Sequence, residues 1–111
     1  KQYGNPKPRI FRLEDDEAMI NRLGFNNDGI AIVKQRIKSN KSNGLLGINI
    51  GPNKTSEDQK VDFCKGLESF FDLANYVTIN ISSPNTEGLR DFHEEKKLSE
   101  LLMALNKIKK K

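Results

Sequence analysis

Hydrophobic positions along the chain follow two periods, and each period predicts a different element. In residues 45–50 and 76–81 every second residue is aliphatic, which predicts two strands that each have one apolar face. Apolar residues recur three and four positions apart over residues 28–39, about 56–74 and 94–109, which predicts three amphipathic helices. The buried stripes of the second and third helices are expected to contain Phe63, Leu67, Phe70, Phe71 and Ala74, and Leu98, Leu101, Leu102, Leu105 and Ile108.

Polar residues at the starts of these helices predict how each one is capped. Asp28 is expected to cap the first helix, and Ser56 with Gln59 has the spacing of a capping box for the second. Glu94 and Glu95 at the start of the third helix, with lysines at its end, suit the helix dipole. A polar linker at residues 40–44 ends the first helix.

The N-terminal region is richer in turns. Residues 10–13 predict a short strand, one arm of a hairpin whose turn lies near residues 14–16. Residues 17–23 resemble a short helical turn that Gly24 ends, and residues 25–27 form an irregular polar loop.

The order strand, helix, strand, helix predicts an α/β fold of parallel βαβ units. The aliphatic face of both strands should be covered by helices, and the other face is small or polar, with Asn49 and Asn80 near the strand ends. A buried amide is costly without a partner, so two asparagines at the same end of neighbouring strands indicate a ligand. The alternative is that both amides bind backbone groups in the loops.

Composition limits the function. The net charge of +4 is divided between the two ends of the chain and aromatic residues are not interleaved with the basic ones, which argues against nucleic-acid binding. No apolar stretch approaches the roughly 20 residues of a membrane span, and none has signal-peptide character. Cys64 is the only cysteine, which excludes an intrachain disulfide or a cysteine-based metal site, fits a reducing compartment and favours a small buried residue.

Four motifs in order resemble the dihydroorotate dehydrogenases, specifically the class 2, quinone-dependent group. They are Gly4-Asn5-Pro6-Lys7-Pro8-Arg9, then Ile20-Asn21-Arg22-Leu23-Gly24-Phe25-Asn26, then Gly47-Ile48-Asn49-Ile50-Gly51 with Asn53-Lys54, and Asn80-Ile81-Ser82-Ser83-Pro84-Asn85-Thr86 with Gly88-Leu89-Arg90. The resemblance implies part of a (β/α)8 TIM barrel, an incomplete barrel made of parallel βαβ units with an N-terminal hairpin. It also implies flavin mononucleotide (FMN) as cofactor, dihydroorotate and orotate as substrate and product, and a quinone as electron acceptor.

The resemblance also implies roles for individual residues. Ser83 is similar to the catalytic base, and a serine rather than a cysteine there points to class 2. Asn80 resembles a contact to both flavin and substrate, Asn85 a contact to the orotate ring, and Asn49 a flavin contact. The substrate-covering loop is represented by Asn21, Arg22, Leu23, Gly24 and Phe25. The family is peripheral on the cytoplasmic side of the membrane, while this segment is expected to be soluble or cytoplasmic.

The chain departs from the family in its extent. It corresponds to about a third of a family member, beginning after the first barrel strand and ending at the helix after the fourth. A lysine beside the flavin and the phosphate-binding loops are therefore expected to lie elsewhere, and this chain alone is expected to hold no flavin tightly and to be inactive.

Two other functions remain open. One is a non-catalytic remnant that acts as a self-associating interaction module, forming homo-oligomers through exposed strand edges. The other is a hydrolase that pairs a serine with His93, the only histidine, although no Gly-x-Ser-x-Gly elbow is present.

Overall fold

A computed structural model describes residues 1–40 and 43–109 of the chain. Two residues of the predicted linker, Lys41 and Ser42, lie outside the described residues, as do the last two lysines. The described elements are strands β1 (Ile10–Leu13) and β2 (Ala18–Asn21), helix α1 (Ile30–Ser39), strand β3 (Gly47–Ile50), helix α2 (Gln59–Phe70), strand β4 (Tyr76–Ile79), a 3-10 helix (Leu89–His93) and helix α3 (Glu95–Lys109).

The predicted parallel unit is present. Strands β3 and β4 pair in parallel, with Gly47 opposite Tyr76 and Ile50 opposite Ile79, and α2 connects them. Each strand is shorter than its aliphatic run. One further backbone bond, from Asn80 N–H to Ile50 O at 2.9 Å, extends the pairing past β4.

Helices cover the aliphatic face of this two-stranded sheet, as predicted. The core is centred on α2 and contains buried Ile50, Phe63, Leu67, Leu89, Leu101 and Leu105. Ile48, Val77 and Ile79 of the strands, and Ile81 just after β4, pack against it. Helix α2 lies close to β3 because Gly66 has no side chain: a Cβ there would come within 2.6 Å of Ile50 Cγ2.

The N-terminal hairpin is confirmed, but the helical turn predicted for residues 17–23 is wrong. Strand β2 occupies Ala18–Asn21 and pairs antiparallel with β1, with Phe11 opposite Ile20. Glu17 adopts a φ of 48°, which completes the tight turn after β1. A single helical turn has almost no stability of its own, whereas pairing with β1 supplies hydrogen bonds across the hairpin.

Two predicted caps are also wrong. Gly29, at φ 90°, is the N-cap of α1, and Asp28 forms an ion pair with Arg36 at 2.7 Å instead of capping the helix. For α2 the N-cap is Asp58, whose carboxylate accepts hydrogen bonds from the backbone N–H groups of Lys60 and Val61. The carboxylate is two residues nearer the helix than Ser56, so it is in reach of the first free N–H groups.

The hairpin projects from the helical body. Every residue of β1 and β2 is exposed, including Ile10, Phe11, Leu13, Met19 and Ile20. The radius of gyration is 15.6 Å, against about 13 Å for a compact domain of this length. An isolated two-stranded hairpin is marginally stable in water, so both its sides are available to another polypeptide.

Candidate functional site

The polar loop after β4 is organised by Asn80. Its Oδ1 accepts hydrogen bonds from the backbone N–H of Ser82 at 3.2 Å and from the Ser82 hydroxyl at 3.1 Å. An asparagine that binds a backbone group two residues ahead fixes the turn that follows a strand. The Nδ2 group of Asn80 has no protein partner in the part of the chain that the structure describes and remains available as a donor.

Ser83 lies in the same turn and is half-buried. Its Oγ accepts a hydrogen bond from the backbone N–H of Asn85 at 3.2 Å. A backbone donor fixed on a hydroxyl oxygen stabilises negative charge that develops there when the hydroxyl loses its proton. Arg90 holds the other side of the loop weakly, with its Nε 3.4 Å from Ser82 O.

Thr86 is a polar residue of this loop for which the sequence predicts no role. It is 4% exposed, and its Oγ1 is buried without a hydrogen-bond partner among the described residues. A buried hydroxyl without a partner is costly, so it marks a place where a further polar group fits. In the sequence, the only sign that Thr86 belongs to the site is its position in the polar loop, three residues after Ser83.

Asn49 occupies the same face of the sheet as Asn80. It pairs with Thr78, two residues before Asn80, so the two amides lie at successive levels on this face. Asn49 is exposed and its side chain has no hydrogen-bond partner in the described chain. The alternative in which both amides bind backbone groups therefore holds for Asn80 and not for Asn49.

The segment that contains Asn21 to Phe25 reaches the carboxyl end of β3. The Phe25 ring lies against Gly51, where a Cβ would come within 3.0 Å of ring atoms, and it packs against the core. Gly24 and Phe25 both have positive φ, 69° and 60°, so the backbone bends sharply there. Asn21 Oδ1 accepts from Leu23 N–H at 3.4 Å, and no hydrogen bond among the described residues joins Asn21 to Asn80, Ser83 or Asn85.

A cleft of about 560 Å³ borders the open edge of β3. The carbonyl oxygens of Leu46 and Ile50 accept hydrogen bonds from residues that flank β4. Because the backbone groups of successive strand residues point to opposite sides, those of Gly47, Asn49 and Gly51 point away from β4. Gly51 O is bound by the side-chain Nε2 of Gln2 at 3.1 Å. Of the predicted site residues, only Asn49 lines this cleft.

His93 takes no part in a serine–histidine pair. Its Nε2 lies 3.0 Å from Ile81 O, which ties the 3-10 helix to the end of the β4 segment. Among the described residues no group of His, Cys, Asp and Glu could hold a metal ion. Within the same residues, no helix combines the length and apolar character that crossing a membrane requires.

Parallel strands, covering helices and a polar loop at the strands' carboxyl ends are the arrangement in which α/β barrels and open α/β sheets form ligand sites. A family profile described as dihydroorotate dehydrogenase matches residues 1–111. The chain therefore belongs to the dihydroorotate dehydrogenase family, and it forms an incomplete part of the (β/α)8 barrel.

Relatives and solved structures agree with this assignment. The chain is 52% identical over 109 residues to dihydroorotate dehydrogenase (quinone) of Bartonella tribocorum, covering 98% of this chain and 30% of the relative. It is 54% identical over 104 residues to the protein of that name in Agrobacterium fabrum, covering 94% and 29%. The crystal structure of DHODH from Eimeria tenella in complex with ferulenol superposes with a TM-score of 0.86 at 39% identity, covering 96% of this chain and 31% of that one.

The ligand-free structure of the Eimeria tenella protein superposes with a TM-score of 0.89 at the same identity, covering 99% of this chain and 33% of that one. The chain thus spans about a third of the length of the proteins that it matches. The hairpin, the parallel unit and the polar loop all fall within the matched region.

Proposed function

We propose that this chain supplies one part of the active site of a quinone-dependent, FMN-containing dihydroorotate dehydrogenase, which oxidises dihydroorotate to orotate in pyrimidine biosynthesis. The observation that carries the proposal is the common face of Asn49 and Asn80, followed directly by the Ser83 turn. Membership of the family supports the activity, and the residues support the division of roles.

The residues present fit a flat heterocyclic cofactor. Asn49 presents an exposed amide without a partner among the described residues, and Asn80 presents a free Nδ2 group beside it on the same face. Amides offer both donors and acceptors, which match the C=O and N–H groups of a flavin ring or an orotate ring. When bound, FMN supplies the hydride acceptor that a quinone later reoxidises.

Ser83 is the proposed base, and it removes the proton from the substrate carbon next to the carboxamide carbonyl. A serine hydroxyl is intrinsically a weak base, so its oxygen needs stabilisation as charge develops. The Asn85 N–H at 3.2 Å supplies part of that stabilisation. The side chain of Asn85 is proposed to contact the orotate ring.

Asn21, Arg22, Leu23, Gly24 and Phe25 are proposed to cover the substrate. The segment is anchored beside β3 by Phe25, while Asn21 is exposed at the end of β2. This arrangement leaves Asn21 free to turn toward a ring held by Asn80. Peripheral association with the cytoplasmic side of a membrane is part of the same proposal, because it brings the flavin to a quinone.

The chain by itself is proposed to hold no flavin tightly and to be inactive. The cleft beside β3 is open, and the described residues form a sheet of only two parallel strands. The test is to purify the chain, record the flavin absorption band and assay dihydroorotate oxidation with a dye acceptor. A colourless, inactive chain whose thermal stability rises with added orotate supports the half-site, since a ligand of the native state raises stability. A yellow, active chain overturns the claim of inactivity.

A second candidate function is a non-catalytic remnant that associates with copies of itself. The observation that favours it is the fully exposed hairpin, where Phe11, Leu13, Ala18 and Ile20 share one face by their register. Stability measured against added FMN and orotate separates the two candidates, since a remnant responds to neither ligand.

A further inference from the structure

Asn5 holds the substrate-covering segment at several points. Its backbone N–H donates to Leu23 O at 3.0 Å, and its side-chain Nδ2 donates to Arg22 O at 2.9 Å. Gly24 passes so close that a Cβ there would lie 2.9 Å from Asn5 Nδ2. One residue of the N-terminal turn thus fixes three successive residues of the segment.

The other end of the same carboxamide reaches the loop after β3. Lys54 Nζ donates to Asn5 Oδ1 at 2.9 Å, a contact between residues 49 positions apart in sequence. Lys54 follows Asn49 by five positions, so the Asn5 side chain joins the segment to the loop that leaves the proposed cofactor strand. The backbone of Asn5 is itself held, because Arg9 donates to Asn5 O at 3.1 Å.

The other contacts of this segment lie mainly at its two ends, where the Arg22 N–H donates to Arg9 O at 2.9 Å and Phe25 packs against the core. Arg22 is exposed, and its guanidinium binds Pro8 O at the base of the hairpin. The contact of Phe25 with Gly51 is apolar and leaves the carbonyls of Arg22 and Leu23 to Asn5. Loss of the Asn5 side chain therefore frees the Arg22 carbonyl and breaks the link to Lys54, while the Asn5 backbone N–H still binds Leu23 O.

We infer that Asn5 and Lys54 are positioning residues that latch the segment of residues 21–25 against the carboxyl end of β3. The link from this latch to orotate binding rests on the proposed function, whereas the latch itself rests on the hydrogen bonds alone. Neither residue is placed in contact with substrate; both act through Arg22, Leu23 and Gly24.

Trypsin provides a direct test, because it cleaves the peptide bond after Arg22, and the carbonyl oxygen of that bond is the one that Asn5 Nδ2 binds. Cleavage of a folded protein follows local opening. The rate of cleavage after Arg22 is measured by mass spectrometry relative to cleavage after Arg36 in α1. We expect Asn5→Ala to raise this ratio about fivefold and Lys54→Met to raise it about threefold, as expected for the loss of a net hydrogen bond.

Matched variants separate the latch from a general loss of stability. Lys54→Arg keeps a cationic donor and is expected to stay within about twofold of the parent. Asn106→Ala and Lys107→Met, both exposed on α3, should leave the ratio unchanged. If trypsin cleaves the Asn5→Ala chain rapidly at every site, the variant has lost stability as a whole, and the latch is then tested by comparing Lys54→Met with Lys54→Arg. An unchanged cleavage ratio in Lys54→Met overturns the latch.

A second experiment repeats the trypsin digestion with orotate at saturating concentration. Orotate is expected to slow cleavage after Arg22 in the parent and to have little effect in Asn5→Ala. If the substitutions raise the ratio but orotate protects neither chain, the latch stands and the proposed substrate contact is wrong. If orotate protects both chains equally, the latch has no part in substrate binding.

Discussion

Asn80 Oδ1 accepts two hydrogen bonds from Ser82, at 3.2 Å from its backbone N–H and 3.1 Å from its hydroxyl, which leaves the Nδ2 group as the free end of the amide. Asn80→Asp keeps the acceptor and removes the donor. We expect it to retain stability within about 0.5 kcal/mol while Asn80→Ala loses about 1 kcal/mol. Urea unfolding measures the stability of each variant, and the stability gained with added orotate measures the effect of losing the Nδ2 donor.

In both Asn80 variants the stabilisation by orotate should be lost. Asn106→Asp carries the same change of charge on exposed α3 and serves as the control. Full retention of the orotate effect in Asn80→Asp would remove the Asn80 amide from the proposed substrate site.

Asp58 is the second test, because it caps α2 where Ser56 was expected to do so. Asp58→Ala removes an acceptor from the N–H groups of Lys60 and Val61 and should cost about 1 kcal/mol of unfolding free energy. Ser56→Ala is the matched control and should change stability by less than about 0.5 kcal/mol. Equal losses in the two variants would contradict the assignment of the cap.

Thr86→Val tests the unpartnered hydroxyl. The substitution keeps the shape of the side chain and removes a buried Oγ1 that has no partner in the described chain. We expect stability to stay level or rise by about 1 kcal/mol. Thr55→Val, at an exposed position, controls for the change of residue type. A loss of more than about 1 kcal/mol would show that the hydroxyl has a partner in solution.

Cys64 gives a prediction that depends on pH. Burial raises the pKa of the Cys64 thiol, although nearby Lys60 acts in the opposite direction. A raised pKa in the folded chain means that the unfolded chain loses this proton first, so the thiol lowers stability as pH rises through the alkaline range. The rate of alkylation by iodoacetamide should therefore rise at higher pH in the folded chain than in urea. Coincident pH profiles would contradict the effect of burial.

The exposed hairpin tests the remnant alternative. Ile20 and Ile10 are 56% and 50% exposed, and their cross-strand partners place them on opposite faces of the hairpin. If the apolar face mediates self-association, Ile20→Lys shifts the chain toward the monomer in light scattering and Ile10→Lys does not. A parent chain that is monomeric at all concentrations contradicts self-association through this face.

The sequence predicted the parallel unit well because periodic burial determines it. Ile48, Ile50, Val77 and Ile79 lie on the helix-covered face, and Phe63, Leu67 and Phe70 are buried as expected. These positions obey the periods of strand and helix over many residues, so no single local preference could reverse them. The same prediction is wrong for Phe71 and Leu102, which are 41% and 48% exposed at the edges of their stripes.

Local features were predicted less well because competing partners decide them. Asp28 could cap α1, but Arg36, about two turns into the helix, binds it at 2.7 Å. Residues 17–23 have no strong period of their own, and only pairing with β1 makes part of them a strand. The latch between Asn5 and Lys54 joins residues 49 positions apart, a distance over which sequence patterns carry no signal.

Both asparagines belong to strand segments that are paired on one side only among the described residues, and they differ in what holds their side chains. Asn80 follows a strand that is paired on one side within this chain and is then tied down by its own turn. Asn49 lies on a strand whose other side opens onto the cleft, so the sheet there can be continued only by another polypeptide segment. If Asn49 contacts the cofactor as proposed, such a segment would complete the support of its strand, and cofactor affinity would then report whether the barrel is complete.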